Sequence, residues 1–320
     1  MSLIEKAVER LDQLKRAGVT PPPDVGAVAE AARTAPAAAQ PVVAAPVPPA
    51  AQLPPAPVVD ADIANRASAQ SKTISIDLAR LGAMGMVSPL NTRSMIAEEY
   101  RVIKRPLLRN AAEATSGAHR NLIMVTSSVP GEGKSFSSIN LAISMAMELD
   151  RTVLLVDADV SRPSVLNHLG LPPAPGLMDV LLSTDRSVDL PDVMLRTNIE
   201  KLSILPAGMP HQRATEFLAS DAMVKLVDEL ATRYPDRIIV FDSPPLLMTT
   251  EARVLANHMG QVVIVVEAGR TTQSMVRQAL ATIEQCPLRM MLLNKTRDIG
   301  PSGYYGYYSP YGYGSQEREH

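Results

Sequence analysis

Asn121 to Phe136 reads NLIMVTSSVPGEGKSF, an apolar run that breaks into a glycine-bearing loop ending Gly133-Lys134-Ser135 and then enters a helical pattern. Such an order leaves few folds open, because a strand must deliver the loop and a helix must receive it. Backbone N–H groups from Gly131 onward, through Glu132, Gly133 and Phe136, then point at a chain of phosphates. Lys134 neutralises that chain, and the Ser135 hydroxyl can ligate Mg2+. The pattern predicts a nucleoside triphosphate site. Ser128 stands where the usual GxxxxGKS pattern has its first glycine. A glycine turn with an incidental lysine is the bland alternative, and the flanking strand and helix patterns argue against it.

Two acidic segments follow in the order such a site needs. Thr152 to Pro163 reads TVLLVDADVSRP, a buried-type strand ending in Asp157 and Asp159, and Arg237 to Pro245 reads RIIVFDSPP, another ending in Asp242. In an open parallel sheet the ligand sits at the carboxyl ends of the strands, so these three carboxylates are expected to converge on the phosphate loop. Mg2+ is a hard cation that takes one or two carboxylates together with water and phosphate oxygens, which suits Ser135, Asp159 and Asp242 as its surroundings. Singly, each aspartate reads equally well as a turn residue that ends a strand.

From Arg120 onward strand and helix patterns alternate. Strands are expected at Leu122 to Thr126, Val153 to Asp157, Leu202 to Pro206, Ile238 to Asp242, Val262 to Val266 and Met290 to Leu293. Helices are expected at Ser135 to Leu149, Ala214 to Arg233, Thr250 to His258 and Thr272 to Gln285. Continuous apolar strands between amphipathic helices imply an α/β fold of the P-loop NTPase type, with a mostly parallel sheet covered on both faces. Five segments follow along the chain: an amphipathic docking helix over 1–18, a disordered Pro/Ala-rich linker over 19–70, a regulatory segment over 71–118, the P-loop domain over 119–299 and a tyrosine-rich tail over 300–320. Within the regulatory segment, Thr73 to Leu78 alternates like a short strand. Asn91 to Leu108 reads as a helix carrying Glu98, Arg101 and Lys104, with Pro106 as a kink or end.

Composition closes off other classes. A net charge of −2 gives no general attraction to nucleic acid. The lone Cys286 excludes an intramolecular disulfide and fits a reducing compartment, and the five histidines lack metal-ligand spacing. No apolar run long enough to span a bilayer is expected, since prolines interrupt the uncharged stretch from Ala35 to Val59. The N-terminal helix alternates acid and base on its polar face, which favours a protein partner over an anionic membrane, although a helix folded back onto the domain fits nearly as well.

The tail from Gly300 to Gly314 holds Tyr304, Tyr305, Tyr307, Tyr308, Tyr311 and Tyr313 among Gly, Ser and Pro, whereas the rest of the chain holds only Tyr100 and Tyr234. So little helix- or strand-forming material cannot build a core, and the hydroxyls are expected to be reachable. A sticky aromatic tail without chemistry is the alternative. Together, the phosphate loop, the DxD motif after an apolar strand, the DSPP motif and the terminal tyrosines resemble bacterial tyrosine autokinases of exopolysaccharide synthesis. Within them, the SLIEKAVERLDQLKRAG helix and the EEYRVIKRPLL segment resemble the cytoplasmic autokinases associated with exosortase gene clusters.

The resemblance implies that Lys134 and Ser135 bind ATP and Mg2+, that Asp159 contacts the metal and Asp242 does so through water, and that Asp157 lies near the incoming tyrosine hydroxyl. It implies autophosphorylation of the six tail tyrosines. Asn294, at the end of the last strand, resembles the adenine-contacting position of related ATPases, with a strand-ending turn as an equal alternative. Glu98, Arg101 and Lys104 are implied at a subunit interface of a homo-oligomer, where a ring would present each tail to a neighbour's site. The implied partners are a membrane chain-length regulator of polysaccharide export and a protein-tyrosine phosphatase, with the chain cytoplasmic and peripheral at the inner membrane. In one respect the chain departs from the pattern: DxDxR would put an arginine at Ser161, and here it comes at Arg162. Two rival readings use the same loop. A partitioning or septum-placement ATPase of the ParA or MinD kind would have a lysine where Val129 stands, and a non-catalytic ATP-binding scaffold would share every binding residue.

Overall fold

The computed structural model describes residues 72–113, 119–183, 187–233 and 236–296. The expected N-terminal helix, the linker and the tyrosine tail lie outside the described residues. Eight strands form one sheet: β1 (Thr73–Ile74), β2 (Leu122–Ser127), β3 (Thr152–Asp157), β4 (Leu195–Thr197), β5 (Leu202–Leu205), β6 (Arg237–Asp242), β7 (Gln261–Glu267) and β8 (Arg289–Asn294). Their order across the sheet is β1-β4-β5-β3-β6-β2-β7-β8. Every neighbouring pair is parallel except β4 with β5, so β1 and β4 run against the other six strands. The helices are α1 (Leu78–Ala83), α2 (Met95–Ala112), α3 (Lys134–Ala146), α4 (Val165–Leu169), α5 (Leu177–Leu182), α6 (Leu190–Val193), α7 (Ala214–Leu218), α8 (Asp221–Arg233), α9 (Glu251–Ala256) and α10 (Gln273–Ala281).

Successive residues of a strand point to opposite faces, and both faces here are covered, which is why the central strands are apolar throughout. Leu122, Met124, Leu154, Val156, Ile239, Phe241, Val262 and Ile264 pack on one side with Leu226 and Leu230 of α8 and Leu255 of α9. Ile123, Val125, Val153, Leu155, Ile238, Val240, Val263 and Val265 pack on the other with Tyr100 and Leu107 of α2 and Ile139 and Ile143 of α3. Phe241 is fully buried, and its replacement by alanine would cost about 3–5 kcal/mol. Helix α3 lies between the sheet and α2, and eleven of its thirteen residues are buried.

Several expected boundaries move for identifiable reasons. The strand expected at Thr73 to Leu78 pairs only over Thr73–Ile74. Beyond it the Asn198 side chain takes both the N–H and the carbonyl of Ile76, at 2.8 and 3.0 Å, and Asp77 caps α1 through the Arg80 N–H at 2.9 Å. Pro106 does not end α2, which runs on to Ala112. The carbonyl that would have received the missing N–H belongs to Val102, which is 72% exposed, so water can satisfy it. The helix expected over Ala214 to Arg233 is two helices, because the Ser220 hydroxyl accepts the Met223 N–H at 3.4 Å and opens α8 as a cap.

Candidate active site

The parallel strands β3, β6, β2, β7 and β8 all deliver their carboxyl ends to one edge, and each ends in a polar residue there. In register, Asp157 faces Asp242, and Glu267 faces Asn294. The loop after β2 turns at Gly131 and Gly133, with φ of 90° and 98°. Both values lie in the region that favours glycine. At Gly133 a Cβ would also overlap the Asn294 amide. Helix α3 begins at Lys134, so its free N–H groups and the positive end of its dipole face this edge.

Lys134 is the centre of the charge arrangement. Its Nζ lies 2.7 Å from Asp159 Oδ2 and 3.8 Å from Asp242 Oδ1, and it donates to Ser135 Oγ at 3.1 Å. Burial pulls the Lys134 pKa down, but Asp242 and Asp159, with a smaller contribution from Asp157, outweigh it and leave the pKa raised. Asp157 is held by main-chain donors: Ser164 and Val165 N–H at 3.0 Å each and Asp159 N–H at 3.3 Å. Burial, then the charge of Asp242, pushes its carboxyl up to about 7 despite those bonds. Burial also raises Asp242, against the pull of Lys134. Three carboxyls share one ammonium, so the cluster attracts further positive charge.

The residues fit a nucleotide with Mg2+. Asp242 is wholly buried, and its Oδ1 accepts the Ser138 hydroxyl at 3.1 Å while its Oδ2 has no hydrogen-bond partner. A buried acceptor of that kind suits a metal-bound water. Ser135 Oγ and Asp159 stand beside Lys134, and the donor set is all oxygen. Among the described residues no three His, Cys, Asp or Glu side chains form a metal-holding group on their own. Mg2+ at a phosphate site characteristically relies on one or two carboxylates and the phosphates themselves.

Gly131, Glu132, Gly133, Lys134, Ser135, Asp157, Asp159, Asp242 and Asn294 are thus brought to one edge. Phe136 contributes only main chain, since its ring packs into the cluster beneath α3. Arg162 is exposed, and its N–H donates to Asp159 Oδ1 at 3.2 Å. Glu98 and Arg101 lie on α2 and pair with each other. Lys104 corrects the grouping of those three. It is buried, its Nζ donates to the Ser144 carbonyl and lies 2.7 Å from Glu148, and so it ties α2 to α3 and its C-terminal end inside one chain. The sequence reading also missed Ser138, Ser164, Thr271 and Lys295. Ser138 lies one helical turn after Lys134, a spacing that could have exposed it. Ser164 Oγ donates to Ser135 Oγ at 2.8 Å, a contact between distant segments that only the fold creates.

A strand, glycine loop and helix with converging strand-end carboxylates define a P-loop nucleotide-binding protein. A family model described as an AAA domain matches residues 120–296. The chain is 28% identical over 224 residues to tyrosine-protein kinase YwqD of Bacillus subtilis, covering 70% of this chain and 90% of that one. It is 30% identical over 207 residues to tyrosine-protein kinase CpsD of Streptococcus agalactiae, covering 64% and 87%. Among solved structures, the VpsO kinase domain is 29% identical with a TM-score of 0.50 and is matched over its whole length by 62% of this chain. The chain belongs to the AAA-domain family and, within it, to the bacterial tyrosine kinases.

Proposed function

We propose that the chain is an ATP-dependent protein-tyrosine autokinase that phosphorylates its own tail and regulates exopolysaccharide polymerisation and export, in the exosortase-associated branch. The placement of Lys134 among Asp157, Asp159 and Asp242 at the mouth of the phosphate loop carries this reading. Phosphoryl transfer asks the protein for positioning and charge neutralisation more than covalent help. Bound Mg-ATP supplies the phosphoryl group and most of the neutralising charge. Lys134 would meet the phosphate oxygens, Ser135 and Asp159 would hold the metal, and the unpartnered Asp242 Oδ2 would accept from a water there. Asp157, with a carboxyl that titrates near neutrality, is matched to accept the tyrosine proton.

Tyr100 is buried, and burial pushes its hydroxyl up to about 12, so it is a poor acceptor and the tail tyrosines are the better ones. The chain works in the cytoplasm beside a membrane chain-length regulator that the N-terminal segment docks, assembles as a homo-oligomer and is reset by a protein-tyrosine phosphatase. Among the described residues no helix is long and apolar enough to cross a membrane. The test is incubation of the full chain with Mg-ATP followed by mass spectrometry of the tail. Phosphotyrosine should appear on the 300–320 segment, and Lys134→Met should lower its rate at least ~100-fold while the protein stays folded. Wild-type labelling by that variant would overturn the assignment.

A further inference from the structure

Glu132 is a carboxylate inside a loop shaped to hold anions. It is 1% exposed, and among the described residues it forms no ion pair. Its two side-chain partners are neutral donors from opposite directions: Oε2 accepts the Val129 N–H at 2.7 Å, and Oε1 accepts the Thr271 hydroxyl from the β7–α10 connection. The main chain around it is gripped as well. The Asn294 amide donates to the Glu132 carbonyl at 2.9 Å, and Lys295 Nζ donates to the Gly131 carbonyl at 2.6 Å. Nearby positive charge does not answer the Glu132 carboxylate, because Arg270 and Lys295 both pair with Glu267, at 3.3 and 3.1 Å.

We propose that Glu132 is a positioning residue with two separable effects. Its carboxylate fixes the loop by joining Val129 to Thr271, and its charge weakens the loop's hold on phosphates. A carboxylate accepts two bonds at once and so can bridge a turn to a neighbouring segment. The same charge repels a bound polyphosphate at close range in a poorly screened site. The loop is therefore stiff without being tight, which favours departure of the spent nucleotide. The inference rests on the nucleotide reading above and gives a role to a side chain that does not itself touch the reacting atoms.

Glu132→Gln separates the two effects, because its amide oxygen can still accept from Val129 while its NH2 donates to Thr271 Oγ1. Full-length Glu132→Gln should bind ADP at least about threefold tighter, keep its phosphotransfer KM at or below wild type, and protect the Val129 amide from hydrogen exchange as wild type does without nucleotide. Glu132→Ala and Thr271→Val should both speed that exchange and lower kcat by about tenfold, with Thr271→Ser restoring both. If Glu132→Ala matches wild type in exchange, affinity and kcat, or if Glu132→Gln is as impaired as Glu132→Ala, the proposal fails. Wild-type protein that binds neither ADP nor ATP would overturn the nucleotide reading and this proposal together, whereas bound nucleotide with indifferent variants overturns this proposal alone.

Discussion

Asp157 and Asp242 face each other across one rung of β3 and β6, and that pairing has a measurable signature. In the fold Asp157 titrates at about 7, whereas a carboxyl in an unfolded chain titrates at about 4. Between those values the folded form keeps a proton that the unfolded chain has released, so this group's contribution lowers stability as pH rises from about 4 to about 7. Asp242 is raised too, with the same sign. Asp157→Asn cannot titrate. In urea unfolding without nucleotide it should differ little from wild type near pH 4 and be more stable at pH 8, by on the order of 1 kcal/mol, while losing phosphotransfer. A difference between the two proteins that does not change with pH would place the titration elsewhere. The loss of activity with a gain in stability would mark a residue kept for chemistry at the expense of the fold.

Among the elements, α2 separates two tasks that the sequence presents as one stripe. Lys104 points inward to Ser144 and Glu148, whereas Glu98 is exposed and Arg101 half-exposed. Lys104→Met keeps the packed stem but loses both bonds. Because the Glu148 side chain is 44% exposed and water can serve it, the cost should be about 1–2 kcal/mol, read as a lower urea midpoint with unchanged oligomer mass. Glu98→Ala with Arg101→Ala should do the reverse, leaving the midpoint alone and reducing the mass. A mass change in Lys104→Met below its unfolding range would return Lys104 to the interface. What was legible in advance follows from the same physics. The central parallel strands declared themselves because burial on both faces demands unbroken apolar runs, β8 showed as the short apolar run MMLL although it is partly exposed, and strand ends then predicted Asp157, Asp159, Asp242 and Asn294. The short β4 and the helices α4, α5 and α6 did not, since three to six residues carry too little periodicity. Lys104 was misplaced because a charged residue at helical spacing reads as surface until α3 is known to lie beneath it. Thr271 and Lys295 were invisible for a related reason: their partners lie 139 and 164 residues away in the chain.

For the molecule as a whole, the proposed function makes the tail a link between chemistry and assembly. Each phosphotyrosine adds roughly −1.5 to −2 charges at neutral pH, so six would bring the tail to about −10. Two unit charges ~10 Å apart in water repel by only about 0.4 kcal/mol, and salt reduces that further. One phosphate should therefore do little and several should loosen an oligomer, so that oligomer mass falls gradually across variants with zero to six Tyr→Glu changes. One substitution that dissociates the assembly while the other five are inert would contradict that. Asn294 and Lys295, which hold the phosphate loop, also mark where the chain leaves β8 towards the tail, and Tyr304 comes only nine residues after Lys295. Nine extended residues reach about 30 Å. That leash starts beside the site, so its length alone lets a tail tyrosine serve its own site or that of another copy. We predict that copies exchange tails. Below the concentration at which copies associate, the initial labelling rate per molecule should then climb with protein concentration, whereas a copy that serves itself would label at a rate blind to dilution.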